Sequence, residues 1–225
     1  HQHQHGHQHQ HDQHQHDKHQ HNRDHGFTQV FDNLERWEKL FEDPKRDEYQ
    51  KPNVVLAAMG LKDDAKSEWT VADIGSATGY FAVRMAKLTT GKVYGVDIEP
   101  KLVEYLKARV EKEKIPNIVP IQSKPDDPCL PELVDSVLTC NTYHHWYPKE
   151  VRLAFFKLLR EKYIKPQGTL VIVDFRIGAQ MGQPDSARFK PETIVSEMQE
   201  SGYTLKQSIL DALPHQNVLV FTAPK

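Results

Sequence analysis

Three groups of residues in this chain have the types and spacing to do chemistry. The first is Asp73, followed two positions later by the bend Gly75-Ser76-Ala77-Thr78-Gly79. Glycines accept positive φ there and leave no Cβ between the backbone and a ligand lying across the next helix N-terminus. A carboxylate at this point would repel a pyrophosphate seated on the helix dipole, whose usual signature is G-x-G-x-x-G. It would attract a cation. The second group is Asp97, which closes the apolar run KVYGVD and could accept both hydroxyls of a ribose. The third is Asn141-Thr142-Tyr143-His144-His145-Trp146, where Tyr143, His144 and His145 are the candidates for a general base. Adjacent histidines rarely point at one metal centre and no third ligand is evident, so no metal is expected at this place.

Elements at the right spacing would carry these groups. Residues 71–88, VADIGSATGYFAVRMAKL, read as strand, tight turn and helix, with Phe81, Val83, Met85, Ala86 and Leu88 as the apolar helix positions. Residues 92–97 read as a second strand and 100–112 as a helix. That order implies a parallel pair with a right-handed crossover. Strands are expected again at 117–122, 134–141 and 164–174, with a helix at 150–163 between the last two. A polar, glycine-containing loop at 176–189 would close one side of the pocket. A helix at 191–201 and a closing antiparallel hairpin, 203–210 with 216–222, end the chain. Upstream, apolar residues from Phe27 to Phe41 mark an amphipathic helix. A second helix is expected from about 47 to 59, with Gly60 as its stop. In open parallel sheets ligands bind at the carboxyl ends of strands where strand order reverses, which sets 141–146 over the ligand.

The bend resembles the first motif of the class I S-adenosylmethionine-dependent methyltransferases, D/E-x-G-x-G-x-G. It matches at Asp73, Gly75 and Gly79 and departs at Ala77, where that family usually has glycine. Ile164 to Asp174, IKPQGTLVIVD, is similar to the family's fifth-strand block L-K-P-G-G-x-L-V-I, with Gln167 in place of a glycine. The pair His144-His145 is similar to one in the quinone-biosynthesis-type small-molecule members. The resemblance implies a Rossmann-like α/β fold: seven strands, mostly parallel, the last antiparallel, with helices on both faces. It implies S-adenosyl-L-methionine as cofactor, held by Asp73, Gly75, Ser76, Ala77 and Gly79, by Asp97 and Ile98, by Asp126 or Asp127 at the adenine, and by Asn141. The implied activity is direct in-line methyl transfer to a small-molecule acceptor. Two other readings are kept: an NAD(P)-dependent oxidoreductase, and a metal-binding protein on a methyltransferase-like fold.

The chain has 225 residues and a net charge of −2, which gives no electrostatic case for nucleic acid as partner. Eleven of its fourteen histidines fall in residues 1–26. With no apolar residue before Phe27, this stretch is expected to be a disordered tail, and its imidazoles could weakly bind Zn, Ni or Cu. Residues 27–225 are expected to form one methyltransferase domain, with 27–60 as a helical cover. No apolar run is long enough to span a bilayer. A cytoplasmic location is expected, with export after processing as the alternative because the chain starts without methionine. Cys129 and Cys140 read as reduced thiols.

Overall fold

The structure is a computed structural model that describes residues 34–64 and 66–225. The chain divides into two units, 1–41 and 42–225. In the first, the described residues form helix α1 (Leu34–Phe41), in which the rings of Trp37 and Phe41 lie 4.8 Å apart. The expected tail, its metal-binding role and the first part of the expected 27–41 helix fall outside the described residues.

The second unit opens with a correction. In place of one helix over 47–59 there are two, α2 (Arg46–Gln50) and α3 (Pro52–Ala58). Between them Lys51 sits at φ 45°, ψ 61°. Pro52 has no N–H to continue the ladder and drives the preceding residue out of the right-handed helical region. Gly60, at φ 95°, ends α3 as expected.

The rest alternates strand and helix: β1 (Val71–Ile74), α4 (Tyr80–Leu88), β2 (Val93–Asp97), α5 (Pro100–Glu113), β3 (Ile118–Gln122) and β4 (Val134–Cys140). A 3₁₀ turn at Tyr143–His145 leads into α6 (Lys149–Lys162), β5 (Ile164–Phe175), α7 (Pro191–Glu200), β6 (Thr204–Ile209) and β7 (Gln216–Thr222). The strands form one sheet in the order β3-β2-β1-β4-β5-β7-β6. β1 to β5 pair in parallel, and β7 lies antiparallel between β5 and β6. Strand order reverses between β1 and β4.

Both faces of the sheet are covered, so the strands alternate between two apolar layers rather than between core and water. Val71, Val93, Leu138, Val171, Val173 and Val220 pack with Val55, Leu56 and Met59 of the α3 region and with Phe81 and Met85 of α4. Ala72, Ile74, Tyr94, Val137, Leu170, Ile172 and Phe221 face Phe155, Phe156 and Leu159 of α6 and Ile194 and Met198 of α7. Asp73 shares the α3/α4 face with Val71. A buried ion pair joins α6 to α7: Arg152 donates to both oxygens of Glu197, at 2.7–2.9 Å. Among the described residues, no helix is long and apolar enough to cross a membrane.

Candidate functional site at the strand tips

β1 runs buried into Asp73 and Ile74, and the chain then has to turn sharply to enter α4. Gly75 at φ 83° and Gly79 at φ 92° supply that turn. Their amides are tied locally: Gly75 and Ser76 donate to the Val96 carbonyl at 2.8 and 2.9 Å, and Gly79 donates to the Ser76 carbonyl at 2.8 Å. Ala77 is also left-handed, at φ 50°. The position where the resembled family usually has glycine is thus one whose backbone favours it, and alanine holds it at some strain. Gln167, the other departure from glycine, has φ 65°. It lies at the far end of the sheet, exposed, with its amide on the Pro224 carbonyl.

Gly75 is required by packing as well as by φ. A Cβ there would come within 2.2 Å of the Thr142 Cγ2 methyl. This contact closes the tips of β1 and β4 against each other. Gly75→Ala is therefore expected to cost about 1–2 kcal/mol for the left-handed backbone, plus the displacement of Thr142. Adding Thr142→Ser removes the offending methyl and should recover part of the loss in urea unfolding. No recovery would mean that φ alone sets the requirement.

Asp73 is 2% exposed, and burial pushes its pKa up to about 7, with Ser76 and the Arg46 guanidinium pulling it back only in part. Asp97 sits at the tip of β2. Its Oδ2 accepts from Ala77 N at 2.9 Å and its Oδ1 from Glu99 N at 3.1 Å. Burial also raises its pKa, against the pull of those amides. The glycine bend and the second strand are thereby joined through one carboxylate, which keeps a lone pair on each oxygen for further donors. Ile98, next to it, is exposed.

The loop after β3 separates its two acids. Asp127 takes the Tyr163 hydroxyl at 2.5 Å and Cys129 N at 2.8 Å, and these donors hold its pKa down against its partial burial. Asp126 is exposed. Asp127 is thus committed to fastening the loop to the end of α6.

Past β4 the chain leaves the sheet one residue earlier than expected, because Asn141 adopts φ 61°. Asn141 Oδ1 accepts from Gln216, Gln216 Oε1 accepts from Gln50 at 2.6 Å, and Gln50 Oε1 accepts from Arg46 at 3.2 and 3.3 Å. Gln50 and Gln216 are fully buried. This polar chain fastens α2 to the strand tips and holds Arg46 over the Tyr80 ring, 3.9 Å from its centroid. The segment from Glu42 is tied down again at the bend itself: Glu42 accepts from Thr78 at 2.8 Å and from Arg109 at 2.7 Å. Asp47 accepts the Tyr80 hydroxyl.

The three candidate bases part company. Tyr143 is fully buried, its ring against Phe156 and Phe189, and burial raises its pKa. It packs as a core residue, apart from the two histidines it was expected to join as a candidate base. Trp146 likewise stacks on Phe155, 4.4 Å between centroids. His144 and His145 stay at the tip, rings edge to face at 4.3 Å. Packing of the His145 ring and its neighbour His144 lower the His145 pKa, although the residue as a whole is exposed. His144 Nδ1 lies 3.0 Å from Oδ2 of Asp174, at the end of β5. Among the described residues no group of three or more His, Cys, Asp or Glu is arranged to hold a metal ion.

Residues that local patterns did not single out complete the picture: Arg46, Gln50, Gln216 and Asp174. The loop 176–189 is braced internally by Arg188, which donates to Ala179 O and Asp185, and is tied to β5 by Gln183, which donates to Asp174 at 2.9 Å. A cavity of about 620 Å³ lies elsewhere, beside the C-terminal end of α4, lined by Val83, Ala86, Thr89 and Asn117. It is remote from the strand tips.

Comparison with known proteins bears on the fold that carries these residues. Residues 71–168 match the family described as "Methyltransferase domain". A stretch of 70 residues is 29% identical to the ribosomal protein L11 methyltransferase of Anoxybacillus flavithermus, covering 31% of this chain and 22% of that protein. The match thus spans about a fifth of that curated relative's length. The fold superposes on a SAM-dependent methyltransferase from Aquifex aeolicus with TM-score 0.74 and 22% identity, over 86% of this chain and 98% of the other. It also superposes on the N-methyltransferase NodS of Bradyrhizobium japonicum in complex with S-adenosyl-L-homocysteine, with TM-score 0.65 and 16% identity, over 87% and 99%. An all-parallel dinucleotide-binding sheet has no strand like β7, set antiparallel between β5 and β6. Residues 71–168 thus match the methyltransferase-domain family, and the strand order, with β7 antiparallel, is that of the Rossmann-like methyltransferase fold.

Proposed function

We propose that the chain transfers the methyl group of S-adenosylmethionine to a small-molecule acceptor by direct in-line displacement. The observation that carries the reading is the buried Asp73 carboxylate ahead of the glycine bend, with Asp97 at the neighbouring strand tip. A carboxylate whose ionisation is suppressed by burial gains most from a cationic ligand. The donor set fits the cofactor: Asp73 for the positively charged methionine portion, Asp97 for the ribose hydroxyls, and the bend from Gly75 to Gly79 beside them. When bound, the cofactor supplies a methyl carbon already activated by its sulfonium, so the protein needs to align the acceptor and exclude water. Ser76, Ala77, Ile98 and Asn141 belong to the same lining in this reading. Asp126, exposed and uncommitted, takes the adenine role in preference to Asp127. His144 and His145 face the acceptor side.

The test is the pH dependence of cofactor binding by the full chain. Binding a cation stabilises ionised Asp73, so the ligand should expel a proton, and affinity should fall as pH drops below about 7, approaching tenfold per unit. For the free protein the sign is opposite. The folded pKa of Asp73 is raised above the ordinary carboxylate range, so its stabilising contribution is present in acid and is lost as pH rises toward 7. Flat affinity for S-adenosylmethionine between pH 5 and 8 would remove Asp73 from the role.

A further inference from the structure

Among the described residues, Asp174 is a buried carboxylate at the strand tips to which the cofactor reading gives no role. Its side chain is 4% exposed and that of His144 14%. Oδ1 accepts from Phe175 N and from Gln183 Nε2, both at 2.9 Å, and Oδ2 faces His144 Nδ1 at 3.0 Å. A carboxylate has no proton to give, so the hydrogen in the last contact belongs to Nδ1. In the neutral ring that selects the tautomer: Nδ1 carries the proton and Nε2 keeps its lone pair. The arrangement is over-determined, because Gln183 from the 176–189 loop and the β5 backbone hold the carboxylate from its other side. The titratable groups around the pair are His145, with its pKa lowered, and the Cys140 thiol of β4, pushed up by burial to about 12 and hence neutral.

We propose that His144 is the general base of this enzyme, that Asp174 is its positioning residue, and that the acceptor is a weakly acidic hydroxyl of phenol or enol type. The inference rests on the methyl-transfer reading above. A neutral imidazole can take a proton of phenol-like acidity in a concerted step, whereas an aliphatic alcohol lies far beyond its reach. An amine would attack as its free base and need no such group. In the step, the acceptor O–H bond breaks and its proton passes to His144 Nε2. The oxygen electron pair forms the new O–C bond while the C–S pair leaves on sulfur as a neutral thioether. The imidazolium, paired with Asp174, then returns its proton to solvent.

The test uses the full chain and two readouts. In ¹⁵N-histidine spectra, the resonance lost in His144→Gln should have the Nδ1–H signature, and Asp174→Asn should convert it to a tautomer mixture. In the second, S-adenosylmethionine is offered with phenol, 4-methoxyphenol or 4-nitrophenol. His144→Gln should bind S-adenosylhomocysteine within about twofold of the parent, yet lose about 10²–10⁴ in turnover of phenol and 4-methoxyphenol. The loss should shrink for 4-nitrophenol, which is largely ionised at neutral pH, and added imidazole should restore part of it. Asp174→Asn should shift the pH profile of turnover, with Asp174→Glu recovering some of it. An Nε2–H tautomer, an equal loss on all three phenols, or a parent protein that binds S-adenosylhomocysteine but methylates none of them would overturn the proposal. Failure to bind S-adenosylhomocysteine at all would instead sink the methyl-transfer reading.

Discussion

Replacing Asp97 by alanine is expected to weaken binding of S-adenosylhomocysteine by about 2–3 kcal/mol, or roughly thirty- to 150-fold in Kd. Two losses combine. The ribose hydroxyls lose a charged acceptor, and the amides of Ala77 and Glu99 lose theirs, which loosens the bend against the second strand. Because that second effect acts on the free protein, the variant should also unfold at lower urea. Asp97→Asn separates the two: its amide oxygen can still take one backbone N–H, so stability should recover more than affinity does. Titration calorimetry of both variants is the check. An unchanged Kd in folded Asp97→Ala would take the ribose role away from this residue.

The largest expected effect on stability lies away from the site. Arg152 and Glu197 have side chains 5% and 4% exposed, and Nη1 of the guanidinium donates to the Trp146 carbonyl at 2.9 Å. Glu197→Ala would leave that guanidinium buried and unpaired among Trp146, Tyr143 and Phe189. Breaking one half of such a pair costs about 3–5 kcal/mol, because the surviving charge cannot reach water. Replacing both partners with apolar residues, Arg152→Met with Glu197→Leu, should restore most of the loss. Urea unfolding of the single and double variants tests this. A single-variant loss below about 1 kcal/mol would show that Arg152 finds solvent or another acceptor. A full loss in the double variant would show that the apolar replacement does not pack. The fold consequence reaches the site, since Arg152 holds the turn that carries His144 and His145.

What could be read from the sequence was what local patterns encode. The β1–bend–α4 unit, Asp97 at the end of β2 and the strand leading to His144 all follow from apolar runs ended by an acid or a glycine. The closing hairpin was legible too, although nothing local says that β7 lies inside and β6 at the edge. Lys51 escaped because its neighbours have helical periodicity, and the break depends on the one proline after it. The two glycine departures were visible only as mismatches. In the structure both Ala77 and Gln167 sit at positive φ, so a motif glycine can mark a backbone requirement as much as clearance for a ligand.

The remainder of the site was invisible for a physical reason. Gln50 and Gln216 are 166 positions apart, and Asp174 is 30 from His144. Such pairs exist only once parallel strands and crossovers have closed the sheet. Arg46 stands in a charged run, LFEDPKRDEY, that gives no hint of a buried residue. Tyr143 was misplaced by the reverse error. Adjacency to two histidines brought it to attention, while the 3₁₀ turn sends its ring into the core and theirs to the tip.

The account depends on Asp73 and Asp97 both meeting one nucleoside ligand that carries a cationic group. A crystal structure with S-adenosylhomocysteine soaked in, in competition with NADH, measures this most directly. The prediction is the adenosyl compound at the tips of β1 and β2, its ribose hydroxyls on Asp97 and its amino group on the Asp73 side of the Gly75–Gly79 bend. A pyrophosphate lying in that bend, or a bend closed to both compounds by Thr142, would contradict it.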